Sequence, residues 1–345
     1  MSKTINTGLI GFGLAGSVFH APIINGIPEL NLMSISSSRI EQIKSIYPDI
    51  KTCSSPEQII FDSNIDLVVI ASPTDTHYDL VKKSLIANKH VVIDKPFVIK
   101  SSEAIELTQL AHDKNKLLCV YQNRRWDNDF LTIKKLLNED KLGGLYHFES
   151  HFDRFRPEVQ MEKWREQDKK GSGLLYDLGA HLIDQAIVLF GMPNWVQADI
   201  TKQRPNAVVD DYFHIIFGYG RLRVILHSSS VVKADVPRFI LHGDKGSFIK
   251  FGLDPQENAL RSGKVPKNNL EWGVEDESLS GTLTVGNSKE MMTSQAGQYT
   301  GFYHHVYKSI KSDESFPITH EQAIQVIQLI EISKQSSTEA RRIHI

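Results

Sequence analysis

The sequence predicts an α/β chain of two domains, with a doubly wound parallel sheet over residues 1–122 and a second α/β domain, carrying an antiparallel sheet, over residues 123–345. Three observations predict it. A length of 345 residues suits two domains, at roughly 100–200 residues each. Short apolar runs alternate with helix-like stretches in the first third, as βαβ units do. Beyond residue 123 the strand-like runs follow one another with short connections, which favours antiparallel pairing.

The runs at Gly8–Gly11, Leu30–Ile35, Leu67–Ala71, His90–Ile93 and Leu117–Tyr121 are apolar without alternation, as strands buried on both faces are. Between them, Ala15–Asn25, Arg39–Tyr47, His77–Ala87 and Ser101–Asn115 read as helices. In the second part, Asn128–Asn138 and Leu174–Leu189 read as helices. Leu145–Phe152, Trp195–Thr201, Asp211–Phe217, Leu222–Ser229, Arg238–His242 and Ser247–Phe251 read as strands. Asp254–Asn287 is polar and rich in Gly, Pro and Asn, which predicts a loop. Helices at Gly301–Ser312 and Thr319–Ser336 close the chain.

Composition narrows the function. Thirty-nine Lys+Arg against forty-one Asp+Glu leave a net charge of -2, which lacks the basic excess of a nucleic-acid binder. Two cysteines, Cys53 and Cys119, offer neither a disulfide framework nor a CxxC zinc motif. No signal-peptide pattern opens the chain, and its apolar runs fall far short of the ~20 residues of a membrane span. A cytoplasmic protein without a membrane partner is the expectation.

Gly11-Phe12-Gly13-Leu14-Ala15-Gly16 follows an apolar strand and opens an apolar helix, the context that gives a G-x-G-x-x-G meaning as a dinucleotide fingerprint. The first glycine permits the tight turn, the second lets backbone N–H groups approach a pyrophosphate, and the third lets helix and strand pack closely. About 20 residues further on, an NAD enzyme places an acid on the ribose 2′-hydroxyl. Here Ser36, Ser37, Ser38 and Arg39 stand instead. Hydroxyls and a guanidinium suit a 2′-phosphate, so NADP is expected rather than NAD.

Lys95 lies just past the carboxyl end of the fourth run, before Pro96, at the edge where open α/β sheets bind ligands. A lysine there can donate to a substrate oxygen beside the nicotinamide; a plain surface lysine is the competing reading. Further on, Asp177, His181 and Asp184 are spaced i, i+4 and i+7, which places them on one face of an otherwise apolar helix. A histidine there suits proton transfer, and Asp177 one turn away can orient it. The competing reading is a core histidine with a capping carboxylate. His304 and His305 are adjacent and make a poor metal pair, His227 sits in a strand with no identifiable partner, and no constellation fits a metal site.

Together these residues resemble the Gfo/Idh/MocA family of pyridine-nucleotide oxidoreductases. The resemblance spans the chain: the fingerprint, Asp94-Lys95-Pro96 where the family carries Glu-Lys-Pro, and Asp177-x-Gly179-x-His181-x-x-Asp184. The stretches Tyr121–Asn128 and Phe152–Glu158 are similar to the NADP-dependent scyllo-inositol dehydrogenase subgroup. The resemblance implies an N-terminal Rossmann domain, then an α/β domain with a large, mostly antiparallel open sheet whose outer face often forms an oligomer interface, so a homo-oligomer (dimer or tetramer) is expected. It implies that Ser72, Pro73, Thr74 and His77 line the cofactor cleft and that Asn123, Trp164 and Arg165 approach it. Arg154 is a candidate for the substrate mouth, with an ordinary strand arginine as the alternative.

The resulting expectation is reversible oxidation of a secondary alcohol on a cyclitol or sugar, with scyllo-inositol/scyllo-inosose as the leading pair. Lys95, Asp177 and His181 are its catalytic and substrate-facing residues. A pyranose dehydrogenase or ketosugar reductase on the same scaffold, or a non-catalytic NADP-binding regulator, are the alternatives.

Overall fold

A computed structural model describes residues 4–266 and 271–345. The N-terminal Met-Ser-Lys, and residues 267–270 of the expected loop, lie outside them. Packing divides the chain into two compact units, each assembled from three segments: residues 1–123, 256–272 and 298–323 in the first, and residues 124–255, 273–297 and 324–345 in the second. The sequence predicts one boundary, at 122/123; in the packing, residues 256–272 and 298–323 belong with the first segment.

The first unit is built on six strands: β1 (Ile5–Ile10), β2 (Leu30–Ser36), β3 (Lys51–Cys53), β4 (Leu67–Ile70), β5 (His90–Asp94) and β6 (Leu118–Tyr121). They pair in the order β3-β2-β1-β4-β5-β6, all parallel. The order reverses between β1 and β4, and such switch points are where dinucleotides bind. The interior strands are buried along their length because helices cover both faces; Leu67–Ile70 and Val91–Ile93 are 0% exposed. The short strand β3 and the helix Glu57–Ile60 were not expected; three and four residues long, they are too short for a periodic signal to emerge. Cys53 and Cys119 are both buried and unbridged.

The expected helix Ala15–Asn25 is two pieces, a π-helical turn over Ala15–His20 and α1 (Ala21–Gly26), with Pro22 in the first turn of α1. The chain is helical on both sides of Pro22, so the proline withholds one N–H from a continuous ladder, and the change from π to α spacing falls beside it.

The second unit carries nine strands: β7 (Leu145–His151), β8 (Trp195–Thr201), β9 (Tyr212–Tyr219), β10 (Leu222–Ser229), β11 (Phe239–Gly243), β12 (Gly246–Lys250), β13 (Gly281–Val285), β14 (Ser288–Met292) and β15 (Ile343–His344). Their order is β14-β13-β12-β11-β7-β10-β9-β8-β15. All pairs are antiparallel except β7 with β10. One face is apolar and buried, with Phe148, Phe213, Phe217, Leu226, Phe239 and Phe248 at 0% exposure. Each such side chain contributes about 1.5–3 kcal/mol by leaving water. The alternate residues point to the other face and are polar or half-buried.

The region Asp254–Asn287 is not a single loop. It contains a helix, Gln256–Arg261, and β13, which pairs β12 with Leu283 buried opposite Phe248. Thr282 and Thr284 alternate with that one buried leucine, so the strand reads as polar. Its edge neighbour β14 is exposed and charged at Lys289 and Glu290, as edge strands are when they avoid further pairing. Among the described residues, no helix is long and apolar enough to cross a membrane.

Candidate active site

In the first unit the expected cofactor residues gather at the carboxyl edge of the parallel sheet. The Gly11 N–H donates to the Ser36 carbonyl at the end of β2 (2.8 Å). Gly11 has φ +97°, and a Cβ there would lie 2.5 Å from the Ala71 carbonyl oxygen, so only glycine makes this turn. A Cβ on Gly16 would lie 2.1 Å from the Gly11 carbonyl oxygen and push the following helix off the turn. Nothing lies within 4 Å of the corresponding position on Gly13, which leaves the backbone there open to the approach of a phosphate. Phe12 is buried, Ala15 half-buried and Leu14 exposed.

The segment after β2 folds back on this turn. The Arg39 N–H donates to Ser37 Oγ (3.2 Å), and Arg39 Nη1 lies 3.5 Å from the Phe12 carbonyl oxygen. Ser38 and Arg39 are exposed. Open backbone N–H groups, two hydroxyls and a guanidinium form a donor set that fits a dinucleotide with its phosphates.

After β4, Ser72 Oγ and Thr76 Oγ1 pair at 2.6 Å, Pro73 is exposed and Thr74 is buried. His77 is itself 1% exposed. Its Nε2 lies 3.0 Å from the Ser72 carbonyl oxygen and its Nδ1 2.9 Å from that of Pro96. It therefore straps the loop after β4 to the loop after β5 instead of offering a free ring to a ligand. Burial pushes its pKa below the ordinary histidine range, although Asp94 and the carbonyls pull the other way.

Lys95 follows β5 directly, and its peptide bond to Pro96 is cis. The Lys95 N–H donates to Asp94 Oδ1 (2.9 Å). His20 Nε2 is 3.9 Å from the same oxygen, and His20 Nδ1 is 2.6 Å from the Tyr303 hydroxyl. Burial alone would raise the Asp94 carboxyl; the His20 contact and the charges of Lys95 and His77 hold it below its ordinary value. An ionised, buried Asp94 thus anchors the lysine's backbone. His20 and Tyr303 escaped the sequence reading, because 283 residues separate them. Asn123, 5% exposed, ends the first segment of this unit.

In the second unit the Asp/His helix starts with a π-helical turn, Leu175–Gly179, and continues as α-helix Ala180–Phe190. The single α-helix expected over Leu174–Leu189 is corrected accordingly. π turns inside helices are frequent at functional sites. Asp210 holds the start of this turn, its carboxylate accepting from the Leu175 N–H (2.7 Å).

The three polar residues of this helix are buried to different depths. Asp177, 20% exposed, lies between two guanidiniums: Arg165 Nε at 3.2 Å and Arg154 Nη1 at 3.4 Å. Arg165 also stacks on Trp164, 4.8 Å from the ring centre. Arg165 and Arg154, expected from different parts of the sequence, therefore meet at Asp177, with Trp164 stacked on Arg165. His181 is 4% exposed. Asp184 is 1% exposed and takes a two-pronged contact from Arg125, at 2.8 and 2.6 Å. That carboxylate is committed to the interior. Around it, Arg124 contacts Asp127 (3.2 Å) and Arg238 approaches Asp129 (3.5 Å), while Gln185 joins Arg124 and Arg238. His227 is not isolated as expected: it lies 3.5 Å from Asp153 and 3.3 Å from His214.

Comparison with known proteins agrees with this architecture. Residues 5–122 match the oxidoreductase family's NAD-binding Rossmann fold, and residues 134–345 match its C-terminal alpha/beta domain. The chain is 45% identical to the oxidoreductase YdgJ of Escherichia coli (strain K12), over 98% of this chain and 97% of that one. It is 42% identical to the scyllo-inositol 2-dehydrogenase (NADP(+)) IolW of Bacillus subtilis (strain 168), over 99% and 96%. The solved structure of yvaA from Bacillus subtilis superimposes with a TM-score of 0.95 at 41% identity, covering 100% of this chain and 99% of that one. With a Rossmann unit whose glycine turn fits a dinucleotide and with full-length relatives of this kind, the chain is an oxidoreductase and belongs to the Gfo/Idh/MocA family.

Proposed function

We propose that this oxidoreductase interconverts scyllo-inositol and scyllo-inosose with NADP as cofactor. The substrate reading rests on the near full-length likeness to a scyllo-inositol 2-dehydrogenase (NADP(+)). The cofactor reading rests on Arg39, held beside the Phe12 carbonyl where an NAD enzyme would present an acid. In this reading residues 1–122 hold the cofactor and residues 123–345 supply most of the substrate's contacts. Gly11 to Ala15 cradle the pyrophosphate, Ser37, Ser38 and Arg39 hold the 2′-phosphate, and Ser72 to Thr74 with Asn123, Trp164 and Arg165 complete the cofactor contacts.

The bound nicotinamide supplies the hydride chemistry. His181 Nε2 or Nδ1 takes the proton of the reacting hydroxyl during oxidation and returns it to the ketone oxygen in reverse. Lys95 Nζ donates a hydrogen bond to that oxygen and stabilises the negative charge that develops on it. Asp177, itself held by Arg154 and Arg165, positions a substrate hydroxyl or the His181 ring. Arg154 stands at the substrate mouth. The protein works in the cytoplasm as a homo-oligomer, a dimer or tetramer.

Initial rates with each inositol isomer and a set of aldoses, with NADP+ and with NAD+, test the reading. scyllo-Inositol with NADP+ is expected to give the highest kcat/KM. A preference for an aldose assigns a pyranose dehydrogenase instead. NADP+ binding without turnover on any of these substrates assigns a regulator.

A further inference from the structure

The outward face of the nine-stranded sheet carries a histidine–carboxylate cluster made of residues other than Lys95, Asp177 and His181. It arises from strand register. His151 on β7 pairs with His227 on β10, and His227 pairs with His214 on β9, so three histidines lie side by side on adjacent strands. Asp153, two residues past the end of β7, turns back over the first two. Its Oδ2 is 3.4 Å from His151 Nδ1, and its Oδ1 is 3.5 Å from His227 Nε2.

The geometry points to a divalent transition-metal site of the zinc class with His151, Asp153 and His227 as ligands. One ligand atom from each of the three residues lies within 4.8 Å of the other two. A tetrahedral ion with bonds of about 2.0–2.2 Å holds its ligand atoms about 3.3–3.6 Å apart; the His151–Asp153 Oδ2 distance of 3.4 Å matches that edge, while the 3.5 Å contact of His227 runs to the other carboxylate oxygen and brings His227 within the wider 4.8 Å limit. Both distances are long for charge-assisted hydrogen bonds, which run at about 2.7–2.9 Å. Two imidazoles and one carboxylate are a ligand set for zinc-like ions, whereas magnesium and calcium prefer oxygen alone.

The surroundings are also those of a metal site. Glu149 Oε2 is 2.7 Å from His151 Nε2, which turns His151 Nδ1 toward Asp153, the carboxylate–histidine arrangement that orients metal ligands. The other nitrogen of His227 faces His214 Nδ1 at 3.3 Å. Asp153 Oδ1 is steadied by the Ser229 N–H at 2.8 Å. The side chains of His151, Asp153 and His227 are 19%, 5% and 16% exposed, so they are largely withdrawn from water yet leave an opening for a fourth ligand. An ion here clamps the end of β7 to β10, the one parallel pair in the sheet.

The test uses the full chain, stripped with a chelator and dialysed. Zn2+ titration is followed by calorimetry, and Co2+ titration by its visible bands. One equivalent per chain is expected, with the band intensity of a four- or five-coordinate cobalt ion and a rise in Tm on adding Zn2+. Asp153→Asn and His227→Gln should each weaken binding at least tenfold, and Glu149→Gln should weaken it by about 10–100-fold. His344→Gln, away from the cluster, should leave it unchanged. Circular dichroism and the metal-free Tm confirm that each variant is folded; should Asp153→Asn not fold, His227→Gln and Glu149→Gln carry the test. Absence of stoichiometric binding, or binding that these folded variants leave intact, overturns the proposal and leaves the cluster as a proton-bridged network.

Discussion

The two units treat ionisable groups in opposite ways. In the parallel sheet of the first unit, the strand interiors are mostly aliphatic on both faces, and ionisable side chains such as Asp94, His77 and Arg39 collect at the carboxyl edge. In the second unit, charge runs through the buried side: Arg124, Arg125 and Arg238 with Asp127, Asp129 and Asp184 are all under 10% exposed. The difference follows from topology. A sheet covered on both faces has only its edge to offer a ligand, whereas a sheet covered on one face can place polar residues among the elements packed over it. Buried pairs are costly to assemble and costlier to break singly, so the second unit, with more of them, depends on complete partnership more than the first does.

The sharpest way to break this contrast is at His181, the buried polar residue proposed to do chemistry. His181→Ala should lower turnover by about 10²–10⁴. As the base it must be neutral, so wild-type kcat/KM for oxidation should fall on the acid side, and the variant should lose that limb. A limb that persists in the variant would make His181 a core histidine.

Asp184 sharpens the other side. Asp184→Asn should leave turnover chemistry in place in whatever protein remains folded and cost about 3–5 kcal/mol of stability, because it takes the anionic partner away from a buried guanidinium. The double change Asp184→Leu with Arg125→Met removes both charges and should recover most of that loss. Denaturant unfolding of wild type and the two variants decides it, and a single variant as stable as wild type would show that the pair contributes nothing.

At the edge of the first unit, Lys95→Ala should lower kcat by about 10²–10³ with little effect on Tm, the range for losing one donor to developing charge. Near-normal turnover would make it a surface lysine. A smaller effect is expected from Arg39→Ala, which should weaken NADP+ binding by about 1.5–3 kcal/mol and NAD+ hardly at all. Equal losses for both cofactors, measured by titration, would remove Arg39 from the 2′-phosphate.

The smallest effect concerns acid stability. His90 begins β5, and its Nδ1 accepts from the Leu117 N–H at 3.0 Å. Burial, reinforced by the charge of Lys116, pushes its pKa down to about 4. Between its ordinary value near 6.5 and about 4 the unfolded chain binds the proton and the folded one does not, so stability falls as pH drops through that window. His90→Gln should flatten this slope by on the order of 2 kcal/mol, allowing for partial solvent screening. Melting curves across the window check it, and an unchanged slope would clear His90 of the effect.

What could be read directly from the sequence was local. The glycine turn and the place of Lys95 after its strand are legible because backbone sterics act over windows of a few residues; the Asp177/His181 segment is legible as helical, but its π-helical first turn is not. Burial on both faces likewise marks the parallel strands by composition alone. The tertiary structure decided the rest. Arg125 meets Asp184 across 59 residues, and His20 meets Tyr303 across 283. His151 stands beside His227 only because β10 pairs parallel to β7. A one-residue slip in that pairing would turn the alternate side chains to the opposite face. Nothing within β7 or β10 specifies the register by itself. It is set when the sheet buries Phe148, Val224 and Leu226 on the same side, which requires the whole sheet to assemble.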